Sequence, residues 1–283
     1  MPELPEVEVL VRHLAPLLKG RTVRGVEVRR AKVIAPTSVK ELKRTLTGAK
    51  FAGMTRRGKY ILFRLRARGG RGTVWVTGHL GMTGRIYLQS SSKAFPKHAA
   101  VVLNLGRHDL VYEDQRYFGR FTLAEDGLER LGPEPFSQGF SAEHLAEVLK
   151  GSRQAVKVRL LDQGLVAGIG NIYASEILFR AGISPRRAAG RLKIAEVRRL
   201  WRAVRRVLAE AIAYGSTVPL NFEDGKRRDG IFYYGRAPGA ADYYEERLRV
   251  YDRAGKPCCK CGAGVKRVEQ AGRSTYFCAR CQH

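Results

Sequence analysis

The chain has 283 residues, 44% of them apolar, which allows two or three domains with real cores and excludes a disordered chain. Lys and Arg number 52 against 26 acidic residues, a formal charge of +26 that repels itself and calls for a polyanionic partner. Nucleic acid fits better than an anionic membrane, because no segment reads as a strongly amphipathic basic helix and no apolar run of about 18 residues spans a bilayer. The N-terminus lacks a basic region followed by an apolar stretch, so no export signal is read and a cytoplasmic protein is expected.

The chain opens MPELPEVEVL, with two prolines and three glutamates in its first eight residues. Locally this is helix-start chemistry, proline and acids ahead of an apolar run. Residues 6–18 predict a helix, with Pro16 near its end. From Thr22 to Leu123, short apolar runs such as KYILFRL, TVWVTGHL and AAVVLNL alternate with glycine-rich breaks, the pattern of an antiparallel sandwich or barrel. GPEP at 132–135 reads as a linker. Helical periods follow in SAEHLAEVLKG, with Ser141 as N-cap, and in VKVRLLDQGLVAG, NIYASEILFRAG and KIAEVRRLWRAVRRVLAEAIAYG. The stretch beginning STVPLNFEDGK has no period and reads as a long functional loop.

All five cysteines lie in the tail, from Cys258 to Cys281. Cys258 and Cys261 form one CxxC and Cys278 and Cys281 a second, sixteen residues apart, the spacing of a four-thiolate zinc site. Four protein ligands close the coordination, so one structural Zn2+ is expected. A module this small depends on it, since such a site contributes roughly 10–16 kcal/mol. The intervening residues predict a hairpin, with Arg273 just after Gly272 at its turn. Cys259 is left over as a free thiol. Upstream, Gly168, Gly170 and Asn171 open a helix. Two readings stand: a helix N-terminus presenting N–H groups to a phosphate, or Asn171 as an ordinary N-cap. Residues 186–206 hold nine basic residues and one acid, so a helix face there suits a phosphate backbone.

PELPEVE, RRGKY (56–60), HLGMTG (79–84), GIGNIYASE (168–176) and GRSTYFCARC (272–281) stand in a fixed order. Together they resemble the Fpg/Nei family of DNA glycosylases, nearly end to end. The resemblance implies an α+β chain in three parts: an N-terminal β-sandwich (1–131), a helix–two-turn–helix domain with a lesion-capping loop (132–248) and a zinc finger (249–283). It implies a monomer that holds double-stranded DNA with oxidised bases or abasic sites in the cleft between these parts. It further implies excision of oxidised purines (8-oxoguanine, formamidopyrimidines) and strand cleavage at the abasic site by β,δ-elimination.

Carried over by position, the resemblance makes Pro2 the nucleophile once Met1 is removed, a secondary amine that attacks the sugar C1′ and forms an iminium. Glu3 matches the acid/base residue and Glu6 a glutamate that orients the terminus. Lys59 matches a phosphate-binding lysine implicated in β-elimination. Asn171 and Arg273 match phosphate contacts, Arg273 also assisting δ-elimination. Met82, Arg116 and Phe118 match the wedge that fills the hole left by the flipped nucleotide, with Arg116 facing the orphaned cytosine. His98 and Arg153 match further DNA contacts. Three departures stand out: the usual DPRRFG reads DQRYFG here, HDH reads His98-Ala99-Ala100, and 216–245 differs most. An endonuclease VIII-like preference for oxidised pyrimidines is the alternative within the family, opposed by PELPE and the Met–Arg–Phe wedge. A non-catalytic zinc-ribbon protein is the alternative outside it, and leaves Pro2 and Glu3 without a reason.

Overall fold

The computed structural model describes residues 2–124, 127–216 and 248–283. These fall into two compact units, one running to Leu128 and one beginning at Glu129. The lesion-capping stretch expected at 216–245 lies outside the described residues, apart from Ser216 at the end of a helix.

The first unit opens with helix α1 (Leu4–Leu18), which starts two residues earlier than its apolar period predicts. Pro5 sits in the first turn, where a missing N–H leaves no hydrogen bond unmade. Pro16 lies inside the helix rather than ending it, and the last turn closes with Lys19 N–H on Ala15 O at 3.1 Å. Val7, Leu10, Leu14 and Leu18 recur at helical spacing and enter the core. After strand β1 (Gly25–Val28) comes an unforeseen helix, α2 (Val39–Leu46). Its signal was present as Ser38 followed by Glu41: the Ser38 hydroxyl accepts the Glu41 N–H at 3.1 Å.

The strands β2 (Lys50–Arg57), β3 (Tyr60–Arg66), β4 (Thr73–His79), β5 (Gly84–Ser90), β6 (Ala99–Asn104), β7 (His108–Asp114) and β8 (Arg120–Thr122) complete the unit. They form two four-stranded sheets, ordered β2-β3-β4-β8 and β1-β6-β7-β5, with every pairing antiparallel. The sandwich follows from alternation: Ile61, Phe63 and Leu65 of one sheet meet Ile86, Leu88, Leu110 and Tyr112 of the other in one apolar core.

The second unit carries helices α3 (Ala142–Leu149), α4 (Val156–Leu160), α5 (Asn171–Ala181) and α6 (Ile194–Ser216), then hairpin strands β9 (Lys266–Gln270) and β10 (Arg273–Phe277). Ser141 caps α3 as expected, accepting the His144 N–H at 3.1 Å. The helix expected through 156–167 stops at Leu160. Gln163 stabilises the turn that replaces it, donating to Leu161 O and Ile169 O and accepting the N–H of Gly168, which has φ +92°. No helix of the described residues is long and apolar enough to cross a membrane.

Gly119 is packed between residues of both sheets, Tyr112 of β7 and His79 of β4. A Cβ there would collide with the Tyr112 hydroxyl and the His79 carbonyl. Gly119→Ala is therefore expected to lower the urea-unfolding free energy by about 3 kcal/mol. Gly69→Ala, at φ +80° in open space, is expected to lose only about 1 kcal/mol.

Candidate active site and metal centre

The acidic start of the chain is buried. Pro2 is buried, and Glu3 and Glu6 are only 1% and 4% exposed. Glu6 Oε2 accepts the Glu3 backbone N–H at 2.8 Å, and the Glu3 side chain accepts the Glu6 N–H in return, a capping box. The peptide directly after Pro2 is thus held by the first turn of α1. One turn on, Glu8 receives Arg56 at 2.8 Å and Arg12 at 2.7 Å. Burial works to raise the Glu8 pKa, but the two guanidinium groups hold it below the usual carboxylate range. Arg56 also donates to Gly58 O at 3.0 Å. The β2–β3 turn that carries Lys59 is therefore tied to α1, the helix that Pro2 and Glu3 lead into. Sequence reasoning gave Glu8 and Arg56 no role, although both lie inside motifs it quoted.

Lys59 is 7% exposed and lies close enough to His79 to perturb it. Burial pushes the His79 imidazole down to about 4, and the charges of Lys59 and Arg120 push the same way. His79 is thus neutral near pH 7. Its Nδ1 accepts the Gly81 N–H at 3.1 Å, which anchors the β4–β5 turn and with it Met82.

Met82, Arg116 and Phe118 come together. Met82 and Phe118 are 46% and 50% exposed, unusual for large apolar side chains. The Arg116 guanidinium contacts Met82 Sδ at 3.2 Å and lies 4.6 Å from the Phe118 ring centroid. The cluster hangs on Asp114, which is fully buried and accepts from the Thr83 hydroxyl (2.6 Å), Arg116 N (3.1 Å) and Gly119 N (2.9 Å). One carboxylate thus fixes both loops. The DQRYFG departure also acquires a contact: Tyr117, at φ +52°, brings its hydroxyl to 3.4 Å from His98 Nδ1.

In the second unit, Asn171 is the first helical residue of α5 and Gly170 the N-cap, so the N-cap reading of Asn171 gives way. Its Oδ1 accepts from Lys157 Nζ at 2.6 Å and its Nδ2 donates to Ser274 O at 2.9 Å. Lys157 is 1% exposed and also donates to Ser274 O (2.8 Å) and Thr275 Oγ1 (2.7 Å). Its three donors meet three acceptors and fasten α4 and α5 to the hairpin that bears Arg273. Arg273 is exposed and follows the two-residue turn Ala271-Gly272, both at positive φ, the hairpin geometry expected from the sequence. Arg153 is exposed just ahead of α4. Among the cations of 186–206, Arg187 binds Glu196, Arg206 binds Glu210 and Arg205 donates to Pro135 O, while Arg198 and Arg202 stay exposed one turn apart.

The segment entering the tail is held by Glu176, whose carboxylate accepts the N–H groups of Arg249, Val250 and Tyr251 at 2.8–3.0 Å. Cys258, Cys261, Cys278 and Cys281 follow, their sulfurs all within 4.8 Å of one another. Zn–S bonds of about 2.3 Å make a tetrahedron with edges of about 3.8 Å. The Cys258–Cys281 and Cys261–Cys278 separations, 3.9 and 3.5 Å, match it, so the donor set fits one structural zinc. Cys259 is exposed and free.

A β-sandwich with a buried proline at position 2, followed by a helical unit and a four-cysteine ribbon, is the layout expected of a zinc-finger DNA-binding protein. Comparison with known proteins agrees. Three family models match in chain order: the formamidopyrimidine-DNA glycosylase N-terminal domain (residues 1–121), the formamidopyrimidine-DNA glycosylase H2TH domain (131–221) and a zinc finger found in FPG and IleRS (255–283). Relatives named formamidopyrimidine-DNA glycosylase include those of Carboxydothermus hydrogenoformans, 39% identical, and Paracoccus denitrificans, 42% identical, each covered over its full length and covering all of this chain. Among solved structures, a Lactococcus lactis Fpg complex with DNA containing N7-benzyl-Fapy-dG has a TM-score of 0.86 at 30% identity, and an abasic-site complex of the same protein 0.85 at 30%, each over 99% of both chains. The chain belongs to the formamidopyrimidine-DNA glycosylase family of DNA repair enzymes.

Two predictions arise here. Lys157→Met removes the ammonium from Asn171 Oδ1 and Thr275 Oγ1, leaving Ser274 O with the Asn171 amide alone, and is expected to cost about 3 kcal/mol or more in urea unfolding. The depressed His79 pKa means the unfolded chain takes up that proton first, so its contribution is present above about pH 6.5 and is lost as the pH falls towards 4. Wild type is expected to lose about 2 kcal/mol more than His79→Gln between pH 7 and 5, read from paired urea titrations.

Proposed function

We propose that this protein is a bifunctional DNA glycosylase and abasic-site lyase acting on oxidised purines in duplex DNA, with Pro2 as its nucleophile. The observation that carries this reading is the buried N-terminal pair. Pro2 is buried and precedes a backbone N–H that donates to Glu6, and Glu3, the next residue, is buried with its carboxyl accepting the Glu6 N–H. A primary or secondary amine is what forms an iminium with a sugar carbon, and proline supplies a secondary one when Met1 is gone. The amine attacks C1′ and the base departs with the electrons of the glycosidic bond, taking a proton. In this reading Glu3 exchanges protons with the opening sugar. The iminium then acidifies C2′, loses a proton there and expels the 3′ phosphate. Loss of the 5′ phosphate by δ-elimination follows, and water frees the protein.

The other residues take roles from their settings. Lys59 sits in a turn anchored to α1 through Arg56 and Glu8, suited to hold a phosphate beside the reacting sugar. Arg273 stands on an exposed hairpin turn braced against α5, suited to a second phosphate. Asn171 holds that hairpin and borders the α5 N-terminus. The exposed Met82–Arg116–Phe118 cluster is the wedge: its apolar surface replaces lost stacking, and the Arg116 fork meets the base left unpaired. His98 and Arg153 add contacts to the DNA backbone. The protein works as a monomer in a bacterial cytoplasm, its three functional parts being 1–131, 132–248 and 249–283.

The test is chemical. Borohydride added to the protein with an abasic duplex is expected to trap one covalent adduct, and acetylation of the N-terminus to abolish it. An adduct that survives acetylation assigns the nucleophile elsewhere. Glu3→Gln is expected to slow base excision by about 10²–10⁴-fold. Excision of 8-oxoguanine well ahead of thymine glycol supports the purine assignment, and the reverse order overturns it in favour of the endonuclease VIII-like reading.

A further inference from the structure

We propose that the N-terminal sandwich carries a second DNA-binding surface, at the end of its β2-β3-β4 sheet away from Lys59, which takes the phosphate backbone of another duplex segment. A cavity of about 400 Å³ lies there, lined by Lys19, Lys50, Arg64, Arg66 and Thr73 and by no acid. All four cationic side chains are exposed, and none has an ion-pair or hydrogen-bond partner among the described residues.

The fold bears a cost to gather them. Lys50 and Arg66 are direct partners across β2 and β3, where like charges repel. Arg64 has its guanidinium beside Gly53, at the β2 bulge, where an added Cβ would lie 3.6 Å from it. Its register partner Trp75 is 38% exposed on the same face. The charges run in a line, since Arg64 and Arg66 are two residues apart on one strand and Arg68 and Arg71 continue into the exposed β3–β4 turn. A line of unpaired cations suits a linear polyanion better than a compact anion.

This surface is separate from the candidate active site. Lys19 follows α1 at its C-terminal end, about 22 Å along the helix from Pro2 and Glu3. The row Lys50–Arg66–Thr73 lies at one end of the sheet and the row Arg57–Tyr60–His79 at the other, about 20 Å apart. A repair enzyme with two such surfaces can grip a second duplex before releasing the first, and so pass directly between DNA segments.

The inference rests on the DNA-binding reading for the first duplex, and one experiment separates the two. The zinc-loaded full chain is bound to a fluorescein-labelled duplex carrying a tetrahydrofuran abasic analogue, then chased with rising concentrations of unlabelled undamaged duplex while anisotropy reports dissociation. Failure to form the labelled complex counts against the DNA-binding reading itself. With the complex formed, the wild-type dissociation rate is expected to climb at least fivefold with competitor. The triple variant Lys50→Gln/Arg64→Gln/Arg66→Gln is expected to show a flat rate, within twofold of wild type at the lowest competitor concentration. A flat wild-type rate, a variant that keeps the wild-type slope, or equal acceleration by pyrophosphate at matched charge overturns the proposal.

Discussion

In a chain with twice as many cations as acids, the placement of the few carboxylates decides the structure. Three of the buried ones accept backbone N–H groups where loops or connecting segments begin. Glu6 takes the N–H after Pro2, Asp114 takes two in the loop of Arg116 and Phe118, and Glu176 takes three in the segment leading to the zinc module. A carboxylate accepts several such bonds at once, and each amide bonded this way is held without a cationic partner. Many Lys and Arg side chains are thereby left at the surface, where phosphates can meet them.

The same logic makes the second unit depend on Lys157. This is the one described lysine that is almost wholly enclosed in the helical unit, and its ammonium joins α4, α5 and β10. Zinc shapes the ribbon, but Lys157, Asn171 and Glu176 set where the ribbon stands on the helices. A metal site closed by four thiolates stiffens its own hairpin, whereas buried polar bonds fix its position relative to α5.

Several elements were readable from local pattern. Alternation in KYILFRL required a strand with one apolar face, and it packs that way as β3. Ser141 capped α3 where expected, and two CxxC pairs brought four sulfurs together. The failures have local causes too. The Ser38–Glu41 capping signature was overlooked amid strand signals. The apolar run 156–167 looked helical, but Gly164, Gly168 and the Gln163 side chain favour a turn after Leu160. Asn171 at a helix start looked equally like a cap or an anion site, and its side chain turned out to brace a hairpin more than 100 residues away.

Sequence alone determined the family, through the order of its motifs, and the sandwich class and the four-cysteine cluster, because these rest on pattern and spacing along the chain. Only the tertiary structure decided that Glu8 and Arg56 tie the Lys59 turn to α1, that Asp114 joins the Met82 loop to the loop of Arg116 and Phe118, and that Lys157 enters a polar cage. The deciding contacts, Arg56 with Glu8, Thr83 with Asp114 and Lys157 with Thr275, join residues 31 to 118 positions apart. A buried donor or acceptor chooses its partner by what the folded chain brings within about 3 Å, which local pattern does not encode.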